Sequence, residues 1–329
     1  MKIVVTGGAG FIGSHLCEAL LEENHFVTCL DNFSTGKMKN IHSLLNHERF
    51  DLQYGDIRRP EDCRKACHGA EYVLHEAALG SVKRSVDDPA TTNDVNVSGF
   101  LNMLVAARDA HVKRFIYASS SSVYGDAADL PKTENRTGKP LSPYAVTKCA
   151  NELYAAACTR TGGMDCIGLR YFNVFGPRQT PDGPYAAVIP QFARKLIRLE
   201  SPIINGDGEY TRDFTYVKNV VRMNLLALST QNAKALNTVF NTACGQQTSL
   251  NQLAASLRTY LSAYDANIAT VQAFHGPARA GDIPHSVACI EKAVELLHYH
   301  PVCDVQQGLA EAAQWYWENL NLNADFAGA

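Results

Sequence analysis

No C-x-x-C pair occurs in this chain, the histidines never fall at metal-ligand spacing, and no apolar run approaches the roughly 20 residues of a membrane span. Each absence removes a class of function. Ten cysteines would suit a disulfide framework or a zinc site, but they are scattered through apolar segments, and the nearest pair, Cys63 and Cys67, is four apart. They read as reduced thiols, mostly buried, with no metal. His75, inside an apolar strand, reads as a core residue. The formal charge of −3 provides no basic field, and no basic run with interleaved aromatics occurs, so nucleic acid is excluded as a partner. "MKIVVTGG" lacks the charged, apolar and cleavage segments of a signal peptide. The expectation is a cytoplasmic protein with no membrane partner. Internal repeats and low-complexity tracts are also missing.

The 329 residues suffice for one large α/β unit or two domains sharing an interface. The first half alternates short apolar runs with helical periodicity. "KIVVTG", "FVTCLD", "FDLQYGD", "EYVLHEAA", "RFIYASS" and "CIGLRYFNV" read as strands, and residues 11 to about 23 as a helix with Ile12, Leu16, Ala19 and Leu20 on one face. That alternation predicts an α/β fold of Rossmann type, a doubly wound parallel sheet with helices on both faces. Beyond about residue 176 the texture becomes irregular, starting from the Pro- and Gly-dense loop "GPRQTPDGPY". The expected organisation is a nucleotide-binding domain over 1–176, with a return segment over about 212–245, and a smaller mixed C-terminal substrate domain over 177–329.

"TGGAGFIGSHL" follows the first strand directly and sets Gly7, Gly10 and Gly13 in the spacing G-x-x-G-x-x-G. Such glycines permit a tight turn, let backbone approach a pyrophosphate, and seat the next helix closely, while the free amides of that helix favour an anion. Asp31, at the end of the second strand, stands where a carboxylate accepts the adenosine ribose hydroxyls and repels a 2′-phosphate. NAD is therefore favoured over NADP, although Lys37 and Lys39 lie nearby.

"LSPYAVTKCANELY" opens with an N-cap serine, Ser142, and a proline suited to the first helical position. Tyr144 and Lys148 then share a helix face one turn apart. A free phenol has a pKa of about 10. A neighbouring ammonium and an oxidised nicotinamide ring both favour the phenolate, which makes Tyr144 a candidate base. The hydroxyls of "ASSSSVYGD" sit at a strand's carboxyl end, the side on which an open parallel sheet binds its ligand.

The glycine cradle, the serine-rich strand end and Y-x-x-x-K, in this order, resemble the extended short-chain dehydrogenase/reductase family over roughly residues 1 to 320. Within it, "AALGSVKRSVDDP", "GKPLSPYAVTK", "LRYFNVFGPRQ", "PYAAVIP" and "INGDGEYTRDF" are most similar to nucleotide-sugar 4-epimerases of the bacterial UDP-N-acetylglucosamine type. The resemblance implies that Tyr144 is the base, that Lys148 binds the nicotinamide ribose and tunes the phenol, and that Ser120 bonds the reacting hydroxyl with help from Ser121 and Ser122. It implies that Gly7, Gly10, Phe11, Ile12, Gly13, Asp31 and Asn32 hold the adenosine and pyrophosphate, that Asp56 and Ile57 flank adenine, and that Ala77 and Ala78 line the cofactor path. Asn173, Ala187, Val188, Asn205, Arg212, Arg279 and Asp282 fall to the UDP-sugar.

Ser286 occupies a position where a bulky tyrosine restricts the sugar pocket of UDP-galactose epimerases, so a serine there leaves room for an N-acetyl group. Two departures stand out. Galactose-type epimerases carry a lysine near Gly80, whereas this chain has Lys83, so that cofactor contact is missing or moved. Ser121 and Ser122 replace the acidic pair of 4,6-dehydratases, which argues against dehydration. The implied reaction is 4-epimerisation of UDP-N-acetylglucosamine and UDP-N-acetylgalactosamine, extending to UDP-glucose and UDP-galactose, through a 4-keto sugar. UDP-glucuronate 4-epimerisation or decarboxylation, with Arg84 as a cation to consider, and a non-catalytic NAD sensor are the alternatives. The resemblance also implies a homodimer built on helices near 96–110 and 144–161.

Overall fold

The computed structural model describes residues 1–183, 185–278 and 283–321. Seven parallel strands make the central sheet. In chain order they are β1 (Lys2–Thr6), β2 (Phe26–Asp31), β3 (Phe50–Tyr54), β4 (Tyr72–His75), β5 (Arg114–Ser120), β6 (Asp165–Tyr171) and an edge strand, Thr238–Thr242. Across the sheet the order is edge, β6, β5, β4, β1, β2, β3. The direction of winding reverses between β1 and β4, which opens a crevice at their carboxyl ends. β1 is rich in β-branched residues and is buried from Ile3 to Thr6, as a strand covered on both faces must be.

One face carries helices Phe11–Glu22 and Val217–Ser229, whose Leu16, Leu20, Val220, Met223 and Ala227 lie on Ile3, Val5, Ile116 and Ile167. Helices Pro60–Cys67 and Phe100–Asp109 cover the other face through Cys63, Ala66, Phe100, Met103 and Leu104. Burying two apolar faces gives the α/β layers their cohesion. A separate cluster joins helices Val188–Ile197, Leu250–Leu261 and Val305–Leu320 through Phe192, Leu196, Leu253, Leu257, Leu309 and Tyr316. The last two of these helices start at capping boxes, Ser249 with Gln252 and Asp304 with Gln307.

"CIGLRYFNV" departs from the single strand expected of it. β6 ends at Tyr171, Asn173 turns to φ 28°, and Val174–Phe175 pairs instead with Thr215–Tyr216. The break takes the chain off the carboxyl end of β6 at residue 173. The helix expected near 96–110 also differs: a π-turn over Asp94–Gly99 precedes the α-helix that starts at Phe100. All ten cysteines are free, and Cys149, Cys158 and Cys289 are only partly buried. His75 is buried against Phe100 and Phe115 with its Nδ1 2.9 Å from Thr6 Oγ1, and burial holds its pKa down at about 3, so it is a neutral core group. Among the described residues no helix is long and apolar enough to cross a membrane, and no cluster of three metal-ligating side chains occurs.

Candidate active site

The turn between β1 and the first helix is built by close approach. Gly7 adopts φ +66°, and a Cβ there would lie 2.9 Å from the Ala77 backbone. A Cβ on Gly13 would lie 2.2 Å from Gly7 O. Gly10 N donates to Gly7 O at 2.9 Å, closing the turn. The helix begins after Gly10 with no side-chain cap, so its first amides remain directed at the crevice. Asp31 ends β2 at the far wall. Its Oδ2 accepts from Ala9 N at 2.9 Å and its Oδ1 from Phe33 N at 2.7 Å. Each oxygen keeps lone-pair capacity for a further donor. Burial raises its pKa, and the two backbone donors offset part of that rise.

These elements enclose a cavity of about 300 Å³. Gly7, Gly10, Phe11, Ile12, Gly13, Asp31, Asn32, Asp56, Ile57, Ala77 and Ala78 all line it, so the expected cofactor residues of this crevice come together. Asn32 Nδ2 donates to Asp56 Oδ2 at 2.9 Å, and Arg58 forks onto the same carboxylate, holding it well below the usual carboxylate range. A tight glycine turn, uncapped helix amides and a carboxylate at the opposite wall fit a dinucleotide.

At the reactive end, Ser142 Oγ accepts from Ala145 N at 3.2 Å and starts the long helix Pro143–Gly162. Tyr144 is half-buried, with Ser120 at the end of β5 near enough to influence its hydroxyl. Burial raises the phenol's pKa, the Ser120 hydroxyl lowers it, and the Glu76 carboxylate raises it again. Lys148 is 3% exposed; its Nζ donates to Ala118 O at 2.7 Å and lies 5.9 Å from the centre of the Tyr144 ring. Burial lowers the Lys148 pKa to about 8, against the upward pull of Glu76 and Glu152.

Ser121 and Ser122 open a 3₁₀ turn, where Ser122 N donates to Ser120 Oγ and Ser122 Oγ is buried without a partner among the described residues. The remaining expected residues stand on separate elements outside the dinucleotide cavity. Ala187 and Val188 begin helix Val188–Ile197, and Asn205 ends the short strand Ile203–Asn205. Arg212 donates to Thr211 O and Pro284 O, and Ser286 N donates to the same Thr211 carbonyl, so these two positions are neighbours. Arg279 and Asp282 lie outside the described residues. Lys83 is committed to Asp87 at 2.6 Å on the exposed helix Val82–Asp87.

Sequence reasoning missed three groups. Glu76 lines the cavity, accepts from Tyr171 OH at 2.7 Å, and has its pKa pushed by burial up to about 7. An acid next to alanines at a strand end, "HEAA", was the available signal. Asn96, in the π-turn, accepts from Leu79 N at 2.7 Å and donates to Leu79 O and to Thr147 Oγ1, which ties the loop after β4 to the tyrosine-bearing helix. A π-turn leaves no periodic trace that would mark it. Asp213, fully buried beside Arg212, accepts from Cys244 N, Gly245 N and Ala288 N.

Comparison with known proteins agrees with this geometry. The model of the NAD dependent epimerase/dehydratase family matches residues 3–243. A UDP-glucose 4-epimerase of Mycolicibacterium smegmatis is 35% identical over 318 residues, covering 96% of this chain and 98% of the relative. The structure of a UDP-N-acetylglucosamine 4-epimerase from Methanobrevibacter ruminantium, in complex with UDP-N-acetylmuramic acid, superposes with a TM-score of 0.89 at 38% identity, covering 96% of this chain and 98% of the other. That of a UDP-glucuronic acid 4-epimerase from Bacillus cereus, with UDP-glucuronic acid and NAD, gives 0.86 at 32% identity, covering 97% and 99%. With its glycine turn, its terminal Asp31 and its Tyr144–Lys148 helix in place, this chain belongs to the NAD dependent epimerase/dehydratase family, among the UDP-sugar 4-epimerases.

Proposed function

We propose that this protein interconverts UDP-N-acetylglucosamine and UDP-N-acetylgalactosamine, and also accepts UDP-glucose and UDP-galactose, by epimerisation at C4. The observation that carries the reading is Tyr144, beside Ser120 and set one helical turn from the buried Lys148, at the carboxyl end of the sheet that holds the dinucleotide cavity.

Gly7, Gly10, Phe11, Ile12 and Gly13 would cradle the pyrophosphate, Asp31 and Asn32 the adenosine ribose, Asp56 and Ile57 the adenine, and Ala77 and Ala78 the path to the nicotinamide. Bound NAD supplies the hydride acceptor and donor for C4 of the sugar. Tyr144, as phenolate, takes the proton of the 4-hydroxyl and later returns one to the 4-keto sugar. Ser120, aided by Ser121 and Ser122, orients that oxygen. Lys148 binds the nicotinamide ribose and favours the phenolate through its charge. Asn173, Ala187, Val188, Asn205, Arg212, Arg279 and Asp282 would grip the UDP moiety, which keeps the keto sugar bound while it turns to present its other face.

Two features support acetylated hexosamines. Ser286, which shares the Thr211 carbonyl with Arg212, carries a far smaller side chain than a tyrosine would there, and the 38% identical structure is described as a UDP-N-acetylglucosamine 4-epimerase. The glucuronate reading draws on the Bacillus cereus relative. Against it, the Arg84 guanidinium is stacked 4.9 Å from the centre of the Tyr185 ring, which occupies the cation considered for a uronate.

Exposed Val146, Leu153 and Tyr154, with Val105 on the neighbouring helix, form an apolar face. It supports a homodimer with a four-helix interface.

The test is incubation with UDP-N-acetylglucosamine, UDP-glucose and UDP-glucuronate, followed by chromatographic separation of the epimers. Turnover of the acetylated sugar at least as fast as of the other two is expected, and Tyr144→Phe should lose at least about a hundredfold in kcat while still binding NAD. Turnover of UDP-glucuronate alone, or full activity of Y144F, overturns the reading.

A further inference from the structure

The strand Thr211–Arg212 is only two residues long, so ladder bonds alone hold its neighbours weakly. On one side it pairs antiparallel with Thr248–Ser249, with Thr248 opposite Arg212. On the other it meets the segment 284–289. Thr211 N donates to Pro284 O at 3.0 Å, and Ser286 N donates to Thr211 O at 3.1 Å. Arg212 NH1 reaches the same two carbonyls, Thr211 O at 2.9 Å and Pro284 O at 3.2 Å. Arg212 and Ser286 therefore share one short seam.

Asp213 stands where that seam ends, and its side chain is fully buried. Its Oδ1 accepts from Cys244 N at 3.0 Å, and its Oδ2 accepts from Gly245 N at 3.0 Å and from Ala288 N at 3.2 Å. Residues 244 and 245 lead into Thr248, and Ala288 lies two residues beyond Ser286. One carboxylate thus binds both chains that flank the Arg212 strand. Bonds from N–H groups to an ionised acceptor are the strong kind, and a buried N–H that loses its acceptor is costly.

The other edge of the segment is tied elsewhere. Lys132 N donates to Val287 O at 2.8 Å, and Cys289 N donates to Lys132 O at 2.9 Å. Asn241 Nδ2 donates to Lys132 O and to Cys289 O, each at 2.9 Å, while its Oδ1 accepts from the Tyr124 hydroxyl at 2.6 Å. Tyr124 closes the turn that Ser121 opens at the end of β5. Through Asn241 the segment is referenced to the serine turn, and through Asp213 to Arg212.

We propose that Asp213 is a positioning residue for the nucleotide half of the substrate: its carboxylate locks the Arg212 strand to the segment 284–288, so that Arg212 and Ser286 act on the UDP-sugar as one unit. This rests on the reading of Arg212 and Ser286 as substrate contacts.

Asp213→Asn keeps the volume but puts an NH2 group where one acceptor stood, so at least one of the three backbone N–H groups then meets a donor. None of the residues in this seam lines the dinucleotide cavity. Contacts to UDP made equally in the ground and transition states appear in KM and leave kcat alone. A residue that only held the fold together would lower kcat and the number of NAD sites together, at unchanged KM.

The experiment is titration calorimetry of the full, NAD-loaded chain with UDP, beside the epimer assay. D213N should raise the UDP Kd at least about fivefold while the NAD Kd stays within about twofold. The KM for the UDP-sugar should rise in step, with kcat within about twofold of the parent. Should D213N not fold, the parent carries the test by amide hydrogen exchange. Exchange at Cys244, Gly245 and Ala288 should slow by about fivefold or more on adding UDP and stay as it was on adding NAD alone. A smaller rise in the UDP Kd, a fall in kcat at unchanged KM, or, where the parent stands in, exchange that UDP does not slow at these amides overturns the proposal. A parent that binds no UDP sinks the UDP-sugar reading and this proposal with it, whereas a D213N chain that binds UDP as the parent does sinks the positioning role alone.

Discussion

Replacing Gly13 by alanine adds one methyl group at the tightest point of the dinucleotide turn. That carbon would sit 2.2 Å from Gly7 O and 2.8 Å from Gly8 Cα. Ordinary contact between such atoms is about 3.5 Å, so the helix start or the turn must retreat by about 1 Å. Both neighbours are backbone, and Gly7 is itself held by Gly7 N donating to Leu30 O at 2.8 Å, so no side-chain rotation relieves the overlap. Overpacking of this kind costs about 1–3 kcal/mol. The same retreat moves the amides that would face the pyrophosphate, and displacement of about 1 Å in a positioned site costs about a hundredfold. Titration calorimetry with NAD should therefore show Kd raised by about tenfold to a hundredfold in G13A, and denaturant unfolding should show a lower midpoint. If G13A binds NAD within about twofold of the parent and unfolds at the same denaturant concentration, the argument from close approach is wrong.

Lys148→Met should lower kcat by about a hundredfold to ten-thousandfold while its thermal midpoint at pH 7 is no lower than the parent's, because burying the ammonium depresses its pKa to about 8 and a thioether carries no such penalty; a clear fall in that midpoint would mark Lys148 as structural. Ser286→Tyr should reduce kcat/KM for the acetylated sugar relative to UDP-glucose by about tenfold or more, read by parallel epimer assays, and an unchanged ratio would remove Ser286 from the sugar pocket. Asp213 titrates at about 6 in the folded chain because it is buried, so the fold binds its proton more strongly than the unfolded chain does. Stability from this group is therefore lost as pH rises from about 4 through 6, by about 3 kcal/mol at most. Denaturant melts across that range should show the parent losing stability relative to Asp213→Asn, and parallel curves would refute it.

The legible part of this protein was the part written in local pattern. The β1 run of β-branched residues, the glycine spacing after it and the Ser-Pro helix start each specify backbone geometry within a few residues, and each stands as read. The parts missed depend on contacts made far along the chain. Glu76 matters because Tyr171 arrives beside it from 95 residues on, which no window on "HEAA" contains. Asn96 was hidden inside a π-turn that looked like ordinary helix. The break after Tyr171 was missed because "RYFNV" is apolar and β-prone throughout, and only the pairing of Val174–Phe175 with Thr215–Tyr216 shows that the chain has left the sheet.

The two ends of the crevice are organised by different physics, and this explains why one was legible and the other less so. The phosphate end depends on the absence of side chains: backbone touches backbone at Gly7 and Gly13, and glycine is the residue that permits it. The reactive end depends on charges withheld from water. Glu76 is pushed up to about 7 and Lys148 down to about 8, so the folded chain holds two groups close to their protonation boundaries at neutral pH. Such a cluster weakens the fold, since apolar replacements of similar volume would be neutral or stabilising there. A chain that keeps it gains a phenol and an ammonium whose proton affinities both answer to Glu76 and to what fills the cavity. Filling that cavity thickens the low-dielectric surroundings and strengthens each of these interactions. The pH profile of turnover, more than the melting temperature, is therefore where a change at Glu76 registers.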